Sequence, residues 1–207
     1  MRADVSFIMD KVNILKSVSI FSDLSDSDLS SILDKMVQQT FKKGQIILME
    51  DRIGEHCFFL THGRVKITRL SSDGREVILA LLGKGEFFGE MSLLDGEARS
   101  ANVVALERTE ALTLNVADFM NTLEIYPKVA INLLCELAVR LRKSDEQIAN
   151  LSLSDAERRI AVSLIRLAEE QGTIHHGHVT IDPLPYQQDI ANMAGTSRET
   201  VSRIYGL

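Results

Sequence analysis

Phe88-Gly89-Glu90-Met91-Ser92-Leu93-Leu94-Asp95-Gly96-Glu97-Ala98-Arg99-Ser100-Ala101 is the stretch on which the reading of this chain turns. It places a glycine turn, a carboxylate, a short helical turn, and an arginine followed by a hydroxyl within one loop between apolar runs. An arginine held among apolar side chains needs a partner, because desolvating its charge alone costs several kcal/mol. A phosphate meets that need through the bidentate geometry of the guanidinium, and backbone N–H groups around Gly89 and the next helical turn add an anion-binding end. Glu90 does not favour a phosphate but accepts hydrogen bonds from a sugar hydroxyl. One loop thus offers a phosphate clamp and a ribose hook, which points to a nucleotide that is bound and not hydrolysed. The plain alternative is a surface loop in which Arg99 and Glu90 pair with each other.

On either side of this loop, from about Phe41 to Leu114, glycines at 44, 54, 63, 74, 85 and 89 punctuate short apolar runs such as Ile46-Leu48, Cys57-Leu60, Val65-Ile67 and Val77-Leu82. Many short strands joined by regular turns imply a closed or rolled antiparallel β structure. Ser72-Asp73-Gly74-Arg75 carries the Asp-Gly pair of a two-residue hairpin. Upstream, Ser25 and Asp28 form a capping box for a helix running to about Met36.

Downstream, the spacing predicts a long helix from Pro127 to Leu153, with proline at a first-turn position and no further glycine or proline until Gly172. Leu134, Leu137, Leu141, Ile148 and Leu151 occupy a and d positions of one heptad frame, and Ser144 takes the remaining d position. A polar residue in such a seam sacrifices stability and marks either register or a ligand. A second capping box, Ser154 to Glu157, places a hinge near Leu153 and opens another helix whose inner face carries Ile160, Ala161, Leu164, Ile165 and Ala168.

Gly172 to Ile181 reads as a hairpin carrying His175, His176 and His178. Adjacent strand residues point to opposite faces and make a poor tetrahedral set, so no metal is expected there. Tyr186 to Ala194 fits a helix with Ile190 and Met193 or Ala194 inward, Gly195-Thr196 makes a turn, and Ser197 to Ile204 starts a second helix. Arg198, Glu199 and Arg203 share its outer face near the N-terminal end. Arginine suits the O6 and N7 acceptors of guanine, and glutamate the N4 donor of cytosine. Glu199 has a local use as well, in a capping box with Thr196.

Composition bounds the rest. The chain has 207 residues, 45% hydrophobic and 25% charged, enough for two modest folded domains and too apolar for disorder. No signal peptide or membrane span is legible, so a cytoplasmic location is expected. Cys57 and Cys135 support neither a disulfide framework nor a four-cysteine metal site. A net charge of −6 argues against indiscriminate nucleic-acid binding, since phosphate neutralisation supplies most non-specific affinity. It leaves room for a small basic reading surface presented twice by a dimer.

The loop at 88–101 closely resembles the phosphate-binding cassette of cyclic-nucleotide-binding domains, matching at Gly89, Glu90, Ser92, Leu93, Arg99, Ser100 and Ala101. The helix-turn-helix resembles that of the cyclic AMP receptor protein/FNR family of bacterial regulators, whose Ser-Arg-Glu-Thr-Val core is intact at Ser197 to Val201. The resemblance covers nearly the whole chain in family order. It implies an α+β architecture: an N-terminal antiparallel β-roll with helices over 1–126, a dimerisation helix over 127–153, and a winged-helix-type helix-turn-helix domain over 154–207.

By the same resemblance the ligand residues are Gly89, Glu90, Met91, Ser92, Arg99, Ser100, Ala101, Ser144 and Asp145, the last two taking the base at the dimer seam. The DNA contacts are Gln188, Ser197, Arg198, Glu199 and Arg203, reading TGTGA-like palindromic half-sites. The effector is a cyclic nucleotide with no covalently bound cofactor. Arg99-Ser100-Ala101 lacks the threonine of guanine-selective relatives, which favours cyclic AMP. Asp145 replaces a serine and serves the N–H edge of guanine equally well, so cyclic GMP and cyclic di-GMP stay open as alternatives. Partners implied are double-stranded DNA, a second copy of the chain and RNA polymerase, with no membrane. Gln187 replaces a phosphate-contacting arginine. The chain also stops at Leu207, where family members continue through the recognition helix into a further hairpin, so the last helix is expected to be incomplete and to fray. Same-fold rivals are a regulator with another ligand or none, and a redox or metal sensor, which needs more cysteines. No carboxylate–histidine metal cluster or nucleophile–base pair is legible near the cassette, so no enzyme is expected.

Overall fold

The computed structural model describes residues 11–175 and 178–206 and divides into two compact units, Met1–Arg69 with Ala80–Arg140, and Leu70–Leu79 with Leu141–Leu207. Helix α1 (11–17) and a 3₁₀ turn Ser19–Phe21 lead into α2 (Asp26–Leu33). Ser25 caps α2 by accepting from the Asp28 N–H, as expected, but the helix stops at Leu33, short of Met36.

Eight strands follow: β1 (Val37–Phe41), β2 (Ile46–Leu48), β3 (His56–His62), β4 (Val65–Leu70), β5 (Glu76–Leu82), β6 (Phe87–Phe88), β7 (Asn102–Ala105) and β8 (Thr109–Asn115). They form two four-stranded sheets, ordered β1-β8-β3-β6 and β2-β7-β4-β5. Strands β1 and β8, β3 and β8, β3 and β6, β2 and β7, and β4 and β7 pair antiparallel. The expected β-roll is present.

The run Cys57-Phe58-Phe59-Leu60 is buried without alternation because both faces of its strand are covered. Cys57 and Phe59 pack with Phe21, Phe87 and Phe119 under the helices, whereas Phe58 and Leu60 pack with Phe41, Phe88 and Val103. Phe58 and Phe88 stack with ring centroids 5.0 Å apart. At the β4–β5 tip the loop is longer than the two-residue turn expected. Ser71 N–H donates to Arg75 O, Gly74 N–H donates to Ser71 O, and Gly74 takes a left-handed φ of 83°. This is the three-residue hairpin loop in which a turn is followed by a glycine in the left-handed region.

Helix α3 (Met91–Asp95) interrupts the strands, and α4 (Val116–Ile125) precedes α5 (Pro127–Leu153), which spans the expected residues. Helix α6 (Ala156–Gln171) is capped by Asp155, whose carboxylate accepts from Arg158 N–H. Ser154, the expected cap, is one residue early: its own N–H still bonds Asn150 O at the end of α5.

Strands β9 (Thr173–His175) and β10 (His178–Thr180) pair antiparallel with His175 opposite His178. His176, of the expected histidine hairpin, lies outside the described residues. Helices α7 (Gln187–Ala194) and α8 (Arg198–Ile204) close the chain. Their core is Ile160, Ile190, Ala191, Ala194 and Val201, so of the two inward candidates Ala194 is buried and Met193 only half-buried. Val201 is fully buried and Ile204 packs against the same cluster, so the start of this helix has a core to stand on. Within the second unit, Asn192 donates to Glu76 (3.0 Å) and Gln147 donates to Leu79 O (3.4 Å). Among the described residues no helix is long and apolar enough to cross a membrane.

Candidate functional site

The cassette is built by backbone pairing before any side chain is considered. Arg99 N–H donates to Arg52 O (2.8 Å) and Asp51 N–H donates to Arg99 O (3.0 Å), which fixes the arginine's main chain on both sides. Gly89 follows β6 with φ 86°, a conformation that an L side chain rarely adopts. Glu90 then caps the short α3, and Leu93 and Leu94 N–H groups both donate to its carbonyl. Gly96, left-handed at φ 75°, ends that helix.

These turns bury the Arg99 side chain: the residue is 5% exposed. Nη1 donates to Gly89 O (2.6 Å) and Ser92 Oγ (2.8 Å), and Nη2 donates to His56 O (2.6 Å). All three acceptors are neutral. A guanidinium has five N–H donors, so Nε–H and the second Nη2 hydrogen are left without a protein partner among the described residues. Burial pulls the guanidinium below its ordinary pKa, and the nearby Cys57 and Glu90 oppose the shift. An arginine nonetheless keeps its charge in a protein.

Glu90 does not pair with Arg99, so the plain alternative of a self-neutralised loop is not what forms. Glu90, 3% exposed, instead meets Arg140 of α5, with Nη1 to Oε1 at 3.0 Å. Arg140 also donates to Phe87 O (2.9 Å), lies 4.5 Å over the Phe87 ring and approaches Glu136 at 3.4 Å. Burial raises the Glu90 carboxyl above its ordinary range, with Arg140 the main opposing influence. The Cys57 thiol beneath is fully buried, raised well above its usual value by burial, and donates to Phe88 O.

Of the remaining cassette residues, Ser92 turns inward as an Arg99 acceptor, Ala101 is buried, and Met91 and Ser100 are exposed with Ser100 Oγ 4.0 Å from Met91 Sδ. Ser144 and Asp145 are exposed on α5. So are Leu134, Leu141, Ile148 and Leu151 of the heptad frame, whereas Leu137 packs against the first unit's own core.

In the second unit Gly195, left-handed at φ 59°, caps α7, and Ser197 caps α8 by accepting from Thr200 N–H. The expected cap, Thr196, instead sends its N–H to Ala191 O. Glu199 therefore does not close a capping box with Thr196; its own backbone N–H, then Ser197, hold its carboxyl below the ordinary value. Arg198, Glu199 and Arg203 are exposed, and Gln188 is exposed with its amide bonded to Asn192. Among the described residues no group of three or more His, Cys, Asp or Glu is placed to hold a metal.

Three contributors were not read from sequence. Arg140 lies fifty positions from Glu90, and its signal was a cation in line with Leu133 and Leu137 on the inward face of α5. Gly54 makes room for the guanidinium, since a Cβ there would lie 2.5 Å from Arg99 Cζ and from Ser92 Oγ. His56 contributes a carbonyl, which no side-chain pattern reveals.

Residues 38–126 match the family model of the cyclic nucleotide-binding domain, and residues 158–206 that of the Crp-like helix-turn-helix domain. The chain is 37% identical over 193 residues to the cyclic AMP receptor protein of Thermus thermophilus, covering 92% of this chain and 85% of that protein. Among solved structures, the catabolite activator protein of Thermus thermophilus is 35% identical with a TM-score of 0.60, covering 91% of this chain and 85% of that one. The c-di-GMP-responsive global regulator CLP of Xanthomonas campestris shares the fold at a TM-score of 0.75 and 20% identity, over 88% of this chain and 90% of that one. A buried arginine cradle on a β-roll, followed by a helix-turn-helix and matched along almost its whole length, assigns the chain to the CRP/FNR family of cyclic-nucleotide-binding, DNA-binding transcription regulators.

Proposed function

We propose that the chain is a homodimeric, cyclic AMP-gated transcription regulator. The observation that carries this reading is Arg99: a buried guanidinium satisfied by three neutral acceptors, with no carboxylate in ion-pair range among the described residues. Nε and Nη2 each keep an N–H that no protein group takes among the described residues, and a guanidinium with such spare donors suits a phosphate. Glu90, aligned by Arg140, accepts from the ribose hydroxyl, and Gly89, Met91, Ser92, Ser100 and Ala101 shape the loop around the cyclic phosphate. Relatives named as cyclic AMP receptors support cyclic AMP as the effector.

The exposed apolar row Leu134, Leu141, Ile148 and Leu151 supports pairing of two α5 helices, with Ser144 and Asp145 reading the base at the seam. Ligand binding then favours one arrangement of the two helix-turn-helix modules. Arg198, Glu199 and Arg203, with Ser197 and Gln188 at the flanks, read TGTGA-like half-sites about 34 Å apart, one duplex turn. Affinities for DNA and for nucleotide are linked reciprocally. The sensor and reader boundaries are 1–126, 127–153 and 154–207, the protein works in the cytoplasm without catalysis, and RNA polymerase is a further partner.

Calorimetric titration with cyclic AMP tests the reading, with cyclic GMP and cyclic di-GMP alongside and Arg99→Ala as control. Saturable cyclic AMP binding that disappears in the variant is expected. Heat with a guanine nucleotide alone moves the effector assignment to that nucleotide through Asp145; heat with none removes the gating proposal.

A further inference from the structure

We infer that Arg159 is the positioning residue that ties the DNA-reading helix to the C-terminal end of α5. The inference rests on the DNA-binding and gating reading above. Arg159 sits in the first turn of α6 and spends its guanidinium on three main-chain carbonyls: Nη1 on Ser154 O (2.8 Å), Nε on Ala194 O (2.9 Å) and Nη2 on Gly195 O (3.2 Å). Ser154 is the first residue beyond α5, and its own N–H still bonds Asn150 O. Ala194 is the last residue of α7 and Gly195 its cap. Carbonyls at helix C-termini lack intrahelical donors and carry the negative end of the helix dipole, so one cation serves the ends of two helices at once. A planar fork can do this and a point charge such as lysine cannot.

A second observation, independent of Arg159, locates the same joint. A Cβ on Gly195 would lie 2.8 Å from Leu151 Cδ2, so the turn between α7 and α8 is seated directly on the last turns of α5. Only Thr196 and Ser197 separate Gly195 from Arg198, and both are bonded, Thr196 N–H to Ala191 O and Ser197 Oγ to Thr200 N–H. Val201 of α8 packs with Ile160, the neighbour of Arg159. A displacement of the α5 terminus therefore reaches the reading helix through hydrogen bonds and packed side chains, with no slack loop between.

The test compares the parent with R159Q and R159K. Affinity for a duplex carrying two TGTGA half-sites is measured by fluorescence anisotropy with and without saturating cyclic AMP, and melting curves are recorded in parallel. In R159Q the ratio of the two affinities is expected to fall about tenfold, within the range of ordinary allosteric coupling, while the protein still melts cooperatively. R159K recovers part of it. An unchanged ratio, or an equal loss in both states that follows the melting temperature, overturns the inference. If R159Q does not melt cooperatively, R159K decides: a parental ratio there sinks the proposal. If the parent's DNA affinity ignores cyclic AMP, it is the gating reading that fails. Arg159 is then judged on unliganded DNA affinity, which R159Q must lower about tenfold for the joint to stand.

Discussion

The two ends of the molecule carry charge in opposite ways. In the β-roll, Arg99 and Glu90 are 5% and 3% exposed and placed by turns that only particular backbones allow. In the helix-turn-helix, Arg198, Glu199 and Arg203 are exposed and stand on a small core of Ile160, Ile190, Ala191, Ala194 and Val201. A small ligand must be surrounded, so its receptor holds desolvated groups at fixed positions. A duplex is approached from outside, so on the function proposed above these solvated groups on a stiff rod are its reader. Structural and functional defects should therefore coincide in the first region and separate in the second.

The largest effect that sharpens this contrast is steric. Gly54→Ala leaves every charge in place, yet its Cβ would lie 2.5 Å from Arg99 Cζ and 2.7 Å from Arg99 Nε. The guanidinium must move off its three carbonyl and hydroxyl acceptors, and nucleotide affinity is expected to fall by about 100-fold or more, the loss of charge-assisted hydrogen bonds worth about 1.5–3 kcal/mol each. Calorimetry on Gly54→Ala reads this directly, and parental affinity would show that the cradle is not the receptor.

Next in size is Arg140→Gln, which strands the buried Glu90 carboxylate. Breaking a fully buried ion pair costs about 3–5 kcal/mol; with Arg140 27% exposed on its side chain, solvent screening reduces this to about 2 kcal/mol. Urea unfolding monitored on the β-roll should show it, together with weaker nucleotide binding. Stability without change would mean that Arg140 is a surface decoration and that the two regions differ less than their burial indicates.

The reader gives the converse pair. Val201→Ala removes fully buried apolar volume and should cost about 1–2 kcal/mol, by the scaling of buried methyl loss, in the unfolding of the second unit, leaving the nucleotide affinity intact. Arg203→Ala, at an exposed position, should leave stability within about 0.5 kcal/mol and weaken DNA binding by about 1–3 kcal/mol, chiefly at one base position. A melting shift in Arg203→Ala, or none in Val201→Ala, breaks the distinction between solvated reader and buried core.

The same contrast explains what was legible in the sequence. Local spacing carries the glycine turns of the cassette, the limits of α5 and the Ser-Arg-Glu-Thr-Val start of α8, since each is decided by neighbours along the chain. Helix caps were displaced by one residue at Ser154 and Thr196, because Asp155 and Ser197 stand next to them with equally good side chains and only the approach of the preceding chain selects between them. Arg140, Gly54 and the His56 carbonyl were silent. Each acts across the fold, through a charge reaching from another element, a volume left empty, or a backbone acceptor that every residue possesses.

The smallest expected effect concerns protons, and it centres on the buried Glu90 carboxyl. Burial raises the Glu90 pKa above its unfolded value, so between the two values the folded state holds more protons than the unfolded one. The stabilisation this brings is complete below the unfolded pKa and is lost as pH rises through the folded pKa. Glu90→Gln should flatten that slope in pH-dependent urea unfolding. Arg140→Gln should extend it to higher pH, because Arg140 is the largest influence holding the carboxyl down. A ribose hydroxyl donating to the carboxylate favours the ionised form, so nucleotide affinity should rise with pH across the window in which stability falls. Both trends vanishing together in Glu90→Gln would assign them to one carboxyl; affinity that ignores pH while stability follows it would make Glu90 a structural group that the ligand does not touch.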